Sequence, residues 1–253
     1  MRSLAIINQK GGSGKTTTTV NLAATIGEKG RRVLVIDLDP QASTSSWFGI
    51  TDGGKALLDV FSDNAELADQ VQVSSALGVD VVPCSTWLAG AEKALSGEVG
   101  AETILARKLR KLPRGRWDYL LFDCPPTLGI LSINALAAAR EVLIPVEAHV
   151  MALAGVAQII KTAEVVKERL NPELELTGIV ACRVDGRTRH SLEVVETLRQ
   201  RFGKLVFKTV IRENIRLAEA PSYAQPITIY DGRSNGAEDY RDLATEVLRQ
   251  ERG

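Results

Sequence analysis

Positions 10 to 17 read Lys10-Gly11-Gly12-Ser13-Gly14-Lys15-Thr16-Thr17, three glycines, two lysines and three hydroxyls in eight residues. An apolar run, Leu4-Ala5-Ile6-Ile7, precedes them and reads as a buried strand. Thr18-Thr19-Val20-Asn21-Leu22-Ala23-Ala24-Thr25-Ile26 follows, with apolar residues at helical spacing. Strand, glycine-rich loop and helix together make a phosphate site, because successive backbone N–H groups and the positive end of the helix dipole converge on anionic oxygens. Lys15 then reaches the β- and γ-phosphates of a nucleotide, and the Thr16 hydroxyl ligates Mg²⁺. The usual pattern, G-x-x-x-x-G-K-[ST], puts glycine at position 9. Here Gln9 stands there, and Lys10 adds a second cation.

Two further stretches end in carboxylates. Val33-Leu34-Val35-Ile36-Asp37-Leu38-Asp39-Pro40-Gln41 is an apolar strand followed by two aspartates. Strand alternation sends Asp37 and Asp39 to the same side, where one steadies a Mg²⁺ shell while the other orients a water. Capping of a following helix is the alternative for both. Tyr119-Leu120-Leu121-Phe122-Asp123-Cys124-Pro125-Pro126 is a second such strand, presenting Asp123 as a Walker B aspartate is presented.

The elements that must position these groups alternate along the chain. Strands are expected at Leu4–Asn8, Arg32–Asp37, Val79–Pro83, Tyr119–Asp123, Glu141–Val146, Thr177–Cys182 and Leu205–Val210. Amphipathic stretches at Ala101–Leu112, Leu153–Leu170 and Ser191–Phe202 separate some of them. This alternation predicts a doubly wound α/β fold, a mostly parallel central sheet with helices on both faces. Ligands gather at the carboxyl ends of strands in such folds, where Gly14, Asp37, Asp39, Asp123 and Glu147 all fall. One domain spanning 1–253 is expected, with Gly53-Gly54 and Gly97–Gly100 as surface loops.

Net charge is zero, yet from Arg183 to Arg216 nine Lys/Arg stand against four Asp/Glu. A local basic patch on a neutral chain suggests an anionic partner; a solvated face is the plainer account. Cys84, Cys124 and Cys182 have no metal-ligand spacing and read as reduced, buried residues. The start leads directly into the phosphate loop, so no signal peptide is expected, and no apolar run approaches the ~20 residues of a membrane span. A cytoplasmic protein is expected.

Taken together, these motifs resemble the ParA/MinD group of deviant-Walker P-loop ATPases, and within it the small ParA proteins of the Soj type. The resemblance rests on Asn8-Gln9-Lys10-Gly11-Gly12-Ser13-Gly14-Lys15-Thr16-Thr17-Thr18, Asp37-Leu38-Asp39-Pro40-Gln41 and Asp123-Cys124-Pro125-Pro126. Asp185-Gly186-Arg187-Thr188 and Asn214-Ile215-Arg216-Leu217-Ala218-Glu219-Ala220-Pro221-Ser222 extend it over the chain. It implies ATP and Mg²⁺ as cofactors, with the phosphates held by Gly11, Gly12, Ser13, Gly14, Lys15, Thr16 and Thr17. Lys10 resembles the signature lysine that crosses to the phosphates of the opposing subunit in an ATP sandwich homodimer. Two nucleotides at one interface concentrate negative charge that needs cations from both sides. Asp39 resembles the residue that positions the attacking water, and Asp123 the Mg²⁺-sensing carboxylate; Thr16 and Asp39 join it in the metal set. Arg183, Arg212 and Asn214 are implied nucleotide contacts. Arg187 and Arg216, with Arg189 a weaker candidate beside Lys204, Lys208 and Arg212, resemble residues that hold double-stranded DNA without sequence preference. The implied partners are nucleoid DNA and a ParB-like or other adaptor that presents a short basic peptide and stimulates a slow ATPase. The cargo is a chromosome or plasmid, a carboxysome or a chemoreceptor cluster.

Arg212-Glu213-Asn214 stands where the family commonly has Pro-Arg-Asn, and Glu147, His149 and Ala154 replace residues that are often Gln, Glu and Glu. A membrane-associated MinD-like ATPase would need a basic amphipathic C-terminal helix. Here the stripe Tyr240, Leu243, Ala244, Val247 and Leu248 is set among more carboxylates than arginines, which predicts a helix packed on the core. A metabolic P-loop enzyme is the alternative of another class.

Overall fold

The computed structural model describes residues 1–95, 97–149 and 152–251. Eight strands form one sheet: β1 Arg2–Ile6, β2 Val33–Asp37, β3 Gln72–Val73, β4 Val79–Val82, β5 Tyr119–Asp123, β6 Glu141–Glu147, β7 Glu175–Val184 and β8 Val206–Arg212. Their order across the sheet is β3-β4-β2-β5-β1-β6-β7-β8. All pairs are parallel except β3 with β4, so the doubly wound expectation holds. The antiparallel edge strand β3 was not expected. Its two residues are exposed, and two residues give no periodicity to read.

Alternation along the central strands divides the core. Leu4, Ile6, Val33, Val35 and Leu121 face one way, onto Val20, Leu22, Ala23 and Ile26 of the helix Lys15–Glu28. Tyr240, Leu243, Ala244 and Val247 of the helix Asn235–Arg249 close the same layer. Ala5, Ile7, Leu34, Ile36, Leu120 and Phe122 face the opposite layer, which holds Leu131 and Leu136, Val156 and Ile159, and Val194 and Leu198. Burial on both faces is why these strands are apolar at successive positions. The apolar stripe of the C-terminal helix is spent in this core.

Strand order also sets the site. From β1 the chain crosses over β5 to reach β2, and from β5 it crosses over β1 to reach β6. The loop after β1 therefore sits at the switch point, with the ends of β5 and β6 on either side, where open α/β sheets bind ligands.

Candidate nucleotide-binding site

The loop after β1 is built to hold an anion. Gly12 and Gly14 have φ of +76° and +92°, and among the described residues no N–H from Gly11 to Thr17 donates to a protein acceptor. The Ser13 hydroxyl is buried and lacks a partner among the described residues. The Lys15 ammonium donates to the Lys10 carbonyl at 3.2 Å, and burial lowers its pKa against the pull of Asp123 and Asp39. Aligned orphan donors, a buried hydroxyl and a desolvated ammonium fit a polyphosphate.

Asp123, the last residue of β5, is fully buried. Its Oδ2 accepts from Thr16 Oγ1 at 2.8 Å and Thr44 Oγ1 at 2.7 Å, and its Oδ1 from Thr19 Oγ1 at 3.2 Å. The Thr16 hydroxyl and Asp123 are thus adjacent, and both are oxygen donors of the hardness Mg²⁺ prefers. Asp37 lies beside Asp123 in register, and burial raises the pKa of both carboxyls.

The expectation that Asp37 and Asp39 share a side is corrected. β2 ends at Asp37, so alternation stops there. Asp37 is fully buried, and its Oδ2 accepts from the Ser45 amide at 2.8 Å and the Ser45 hydroxyl at 2.6 Å. The helix-capping alternative describes it better. Asp39 instead lines a cavity of about 1100 Å³ together with Gly12, Gly14, Lys15, Thr16 and Thr17. Thr44 and Ser45, which tie the helix Ser43–Trp47 to the two strand-end aspartates, carried no recognisable spacing in the sequence.

Lys10 turns away from that cavity. Its ammonium pairs with Glu147 Oε2 at 2.6 Å, and Arg183 Nη1 approaches Glu147 Oε1 at 3.3 Å. The Lys10 hydrogen bond, then its charge, hold the Glu147 carboxyl below the usual range. Nearby, the His149 and His190 rings meet edge to face at 6.4 Å, and Ala154 is exposed on the helix Ala152–Arg169.

The cavity continues past Arg183, Arg187, Arg212, Asn214 and Arg216. Arg212 lies in its wall but gives its guanidinium to Asp239, at 2.6 and 2.9 Å, and to Glu238 at 2.8 Å. Asn214 Oδ1 caps the helix Ile215–Glu219 through the Leu217 amide at 3.1 Å. Arg212 and Asn214, two of the three nucleotide contacts expected beyond the phosphate loop, are therefore engaged within the protein. Arg187 chelates Asp185 at 2.9 and 3.0 Å, and Arg216 pairs with Glu219 at 3.1 Å. Among the described residues Arg189 is exposed and has no ion pair.

The basic stretch is split by the fold. Arg183, Arg187 and Arg189 lie between the end of β7 and the start of the helix Arg189–Phe202. That helix runs about 20 Å, at roughly 1.5 Å per residue, to the far end of the sheet. Arg199, Arg201, Lys204 and Lys208 sit there, away from the cavity, whereas Arg212 and Arg216 return to it. Five of the nine cations share the nucleotide end.

A family model described as an AAA domain matches residues 1–176. The sporulation initiation inhibitor protein Soj of Bacillus subtilis is 43% identical over 246 residues, which cover 96% of this chain and 97% of that protein. The chain belongs to the ParA/MinD family of ATPases. The chromosome partitioning protein ParA of Caulobacter vibrioides is 40% identical over 256 residues, 100% of this chain and 96% of its own. Among solved structures, cobyrinic acid a,c-diamide synthase of Mycobacterium smegmatis, with bound ATP analogue and magnesium, superposes with a TM-score of 0.85 at 34% identity. The match covers 98% of this ParA/MinD ATPase and 95% of the synthase chain.

Proposed function

We propose that this chain is a single-domain ParA-type ATPase that pairs over two ATP molecules, binds DNA without sequence preference as the dimer, and is released when an adaptor stimulates hydrolysis. The observation that carries the reading is that one cavity is lined by Gly12, Gly14, Lys15, Thr16, Thr17, Asp39, Arg187 and Arg216. Nucleotide state and the DNA-binding arginines then share a wall.

In this reading ATP lies along the phosphate loop, with its phosphates on the amides of Gly11 to Thr17 and on Lys15. Thr16 and Asp123 would hold Mg²⁺, which would supply charge neutralisation at the phosphates. Asp39 orients the attacking water, and Lys10 reaches the phosphates of the facing subunit. Arg183 remains beside the loop, while Arg212 and Asn214 form the wall near the base. Only the dimer presents Arg187, Arg189 and Arg216 twice on one face, so several phosphates are met together. The expected location is the cytoplasm, on the nucleoid, with chromosome or plasmid DNA as cargo. Carboxysome or chemoreceptor-cluster positioning uses the same cycle.

The test is an ATPase assay paired with a DNA mobility shift. Asp39→Ala is expected to stay dimeric and DNA-bound with ATP while turnover falls at least ten-fold; rapid turnover in that variant refutes the assignment. The name of the synthase neighbour motivates a second arm. Turnover raised by a corrinoid and indifferent to DNA would identify a metabolic enzyme instead.

A further inference from the structure

Glu147, which pairs with both Lys10 and Arg183, has no task in the proposed cycle. We infer that Glu147 is a positioning residue for Lys10, holding the second lysine within its own subunit until nucleotide draws it across. The inference rests on the proposal that Lys10 acts on a facing subunit.

Three features carry it. First, the main chain of Lys10 is pinned while its side chain is not. The Lys10 amide donates to Asn8 Oδ1 at 3.0 Å and its carbonyl accepts from Lys15 Nζ at 3.2 Å, yet the side chain is 49% exposed. A fixed base and a free stem make a lever whose resting place is chosen by whatever anion lies nearest. Second, that anion stands on a rigid support. Glu147 ends β6, a strand paired on both sides, and its carboxylate lies 2.6 Å from the ammonium. Third, the carboxylate has a reserve partner. Arg183 Nη1 stands 3.3 Å from Oε1, on a backbone held at φ +53°, where a non-glycine residue is strained. When Lys10 leaves, Arg183 still neutralises Glu147, so no carboxylate is stranded beside incoming phosphates. Lys10 then carries its full charge to the interface.

This arrangement makes release inexpensive. A half-exposed ion pair of this kind changes an equilibrium by about two- to five-fold. A neutral glutamine at 147 keeps the shape and removes the restraint.

The experiment compares the full-length protein with Glu147→Gln, each with and without Lys10→Ala. Acetylation of Lys10 by limiting acetic anhydride is read by mass spectrometry, and ATP-dependent association by sedimentation velocity. In E147Q, Lys10 is expected to react about two- to five-fold faster, and half-maximal dimerisation to need about two- to five-fold less ATP. The second shift should vanish when Lys10 is alanine. Unchanged acetylation overturns the inference. So does a higher ATP requirement, which would make Glu147 a residue that presents Lys10. An equal shift in the Lys10→Ala background overturns it too, because the effect would then bypass Lys10. If every form stays monomeric with ATP, the dimer proposal fails separately, and acetylation alone decides: faster reaction in E147Q upholds the restraint, and an equal rate removes it.

Discussion

At Gly14 the backbone holds φ +92°, and an added Cβ would lie 3.4 Å from both Cβ and Sγ of Cys182. Left-handed backbone costs an L-residue about 1–2 kcal/mol, and the thiol has little room to retreat because Thr18 and Tyr240 pack behind it. Gly14→Ala is therefore expected to relax the loop out of its donor array and weaken ATP about ten-fold or more. Titration with a fluorescent ATP analogue reads this, and unchanged affinity would mean the loop tolerates the turn. Thr44 offers a second test at this scale. Its hydroxyl is one of three on the buried Asp123 carboxylate, so Thr44→Val removes a donor while keeping volume. Urea unfolding should register a loss of about 1–3 kcal/mol. No change would show that Thr16 and Thr19 satisfy Asp123 by themselves.

The elements divide into those that build the sheet and those that connect its two ends to the nucleotide. Helix Asn235–Arg249 belongs to the first kind. Tyr240, Leu243, Ala244 and Val247 are fully buried against helix Lys15–Glu28 and β8, and Asp239 on the same helix fixes Arg212. Leu243→Ala is expected to cost about 2–5 kcal/mol by opening a cavity in that layer. Its ATP-free melting temperature checks this. A helix that left the core to lie on a membrane would give a far smaller loss, together with vesicle co-sedimentation. Helix Ser43–Trp47 belongs to the second kind. Its hydroxyls hold Asp37 and Asp123, its Trp47 Nε1 donates to Gln225 at 2.6 Å, and the residue before it, Ala42, sits at φ +53°. The strained backbone of Ala42 and the hydroxyl anchors of Thr44 and Ser45 thus lie together at the N-terminal end of this helix, and Trp47 ties down the other.

On the scale of the whole molecule, the charge pattern is what the proposed DNA partner would have to meet. Exposed Arg187 and Arg216 each have a carboxylate at hand, Asp185 and Glu219, so on the proposed reading DNA phosphates would have to compete for them. In the proposed cycle, binding that begins with such competition is weak for one subunit and would need the doubled patch of a dimer. Arg187→Glu with Arg216→Glu should abolish ATP-dependent DNA binding and leave the dimer intact in sedimentation. Arg189→Ala alone should lower the slope of log K against log salt by about one for each subunit that contacts a phosphate. A double variant that still binds DNA with the original salt slope would remove these arginines from the interface. Lys204 and Lys208, at the far end of the sheet, should have no influence on the ATP dependence of binding.

The order of apolar runs was enough to dictate a doubly wound sheet, because strands covered on both faces must be apolar at each position. The phosphate loop was equally legible, since three glycines and two lysines between a strand and a helix leave few other uses. Side-chain company was not. The nine cations from Arg183 to Arg216 are continuous in sequence and divided in space, because a helix of about 20 Å carries the chain from one end of the sheet to the other. Asp37 and Asp39 look alike in sequence, yet only one lines the cavity, because the strand ends between them. Glu147 is 137 residues from Lys10 and meets it only because β6 was laid against β1. Local chemistry is written in neighbouring residues, and pairing between strand ends is settled by the order in which the strands are laid down.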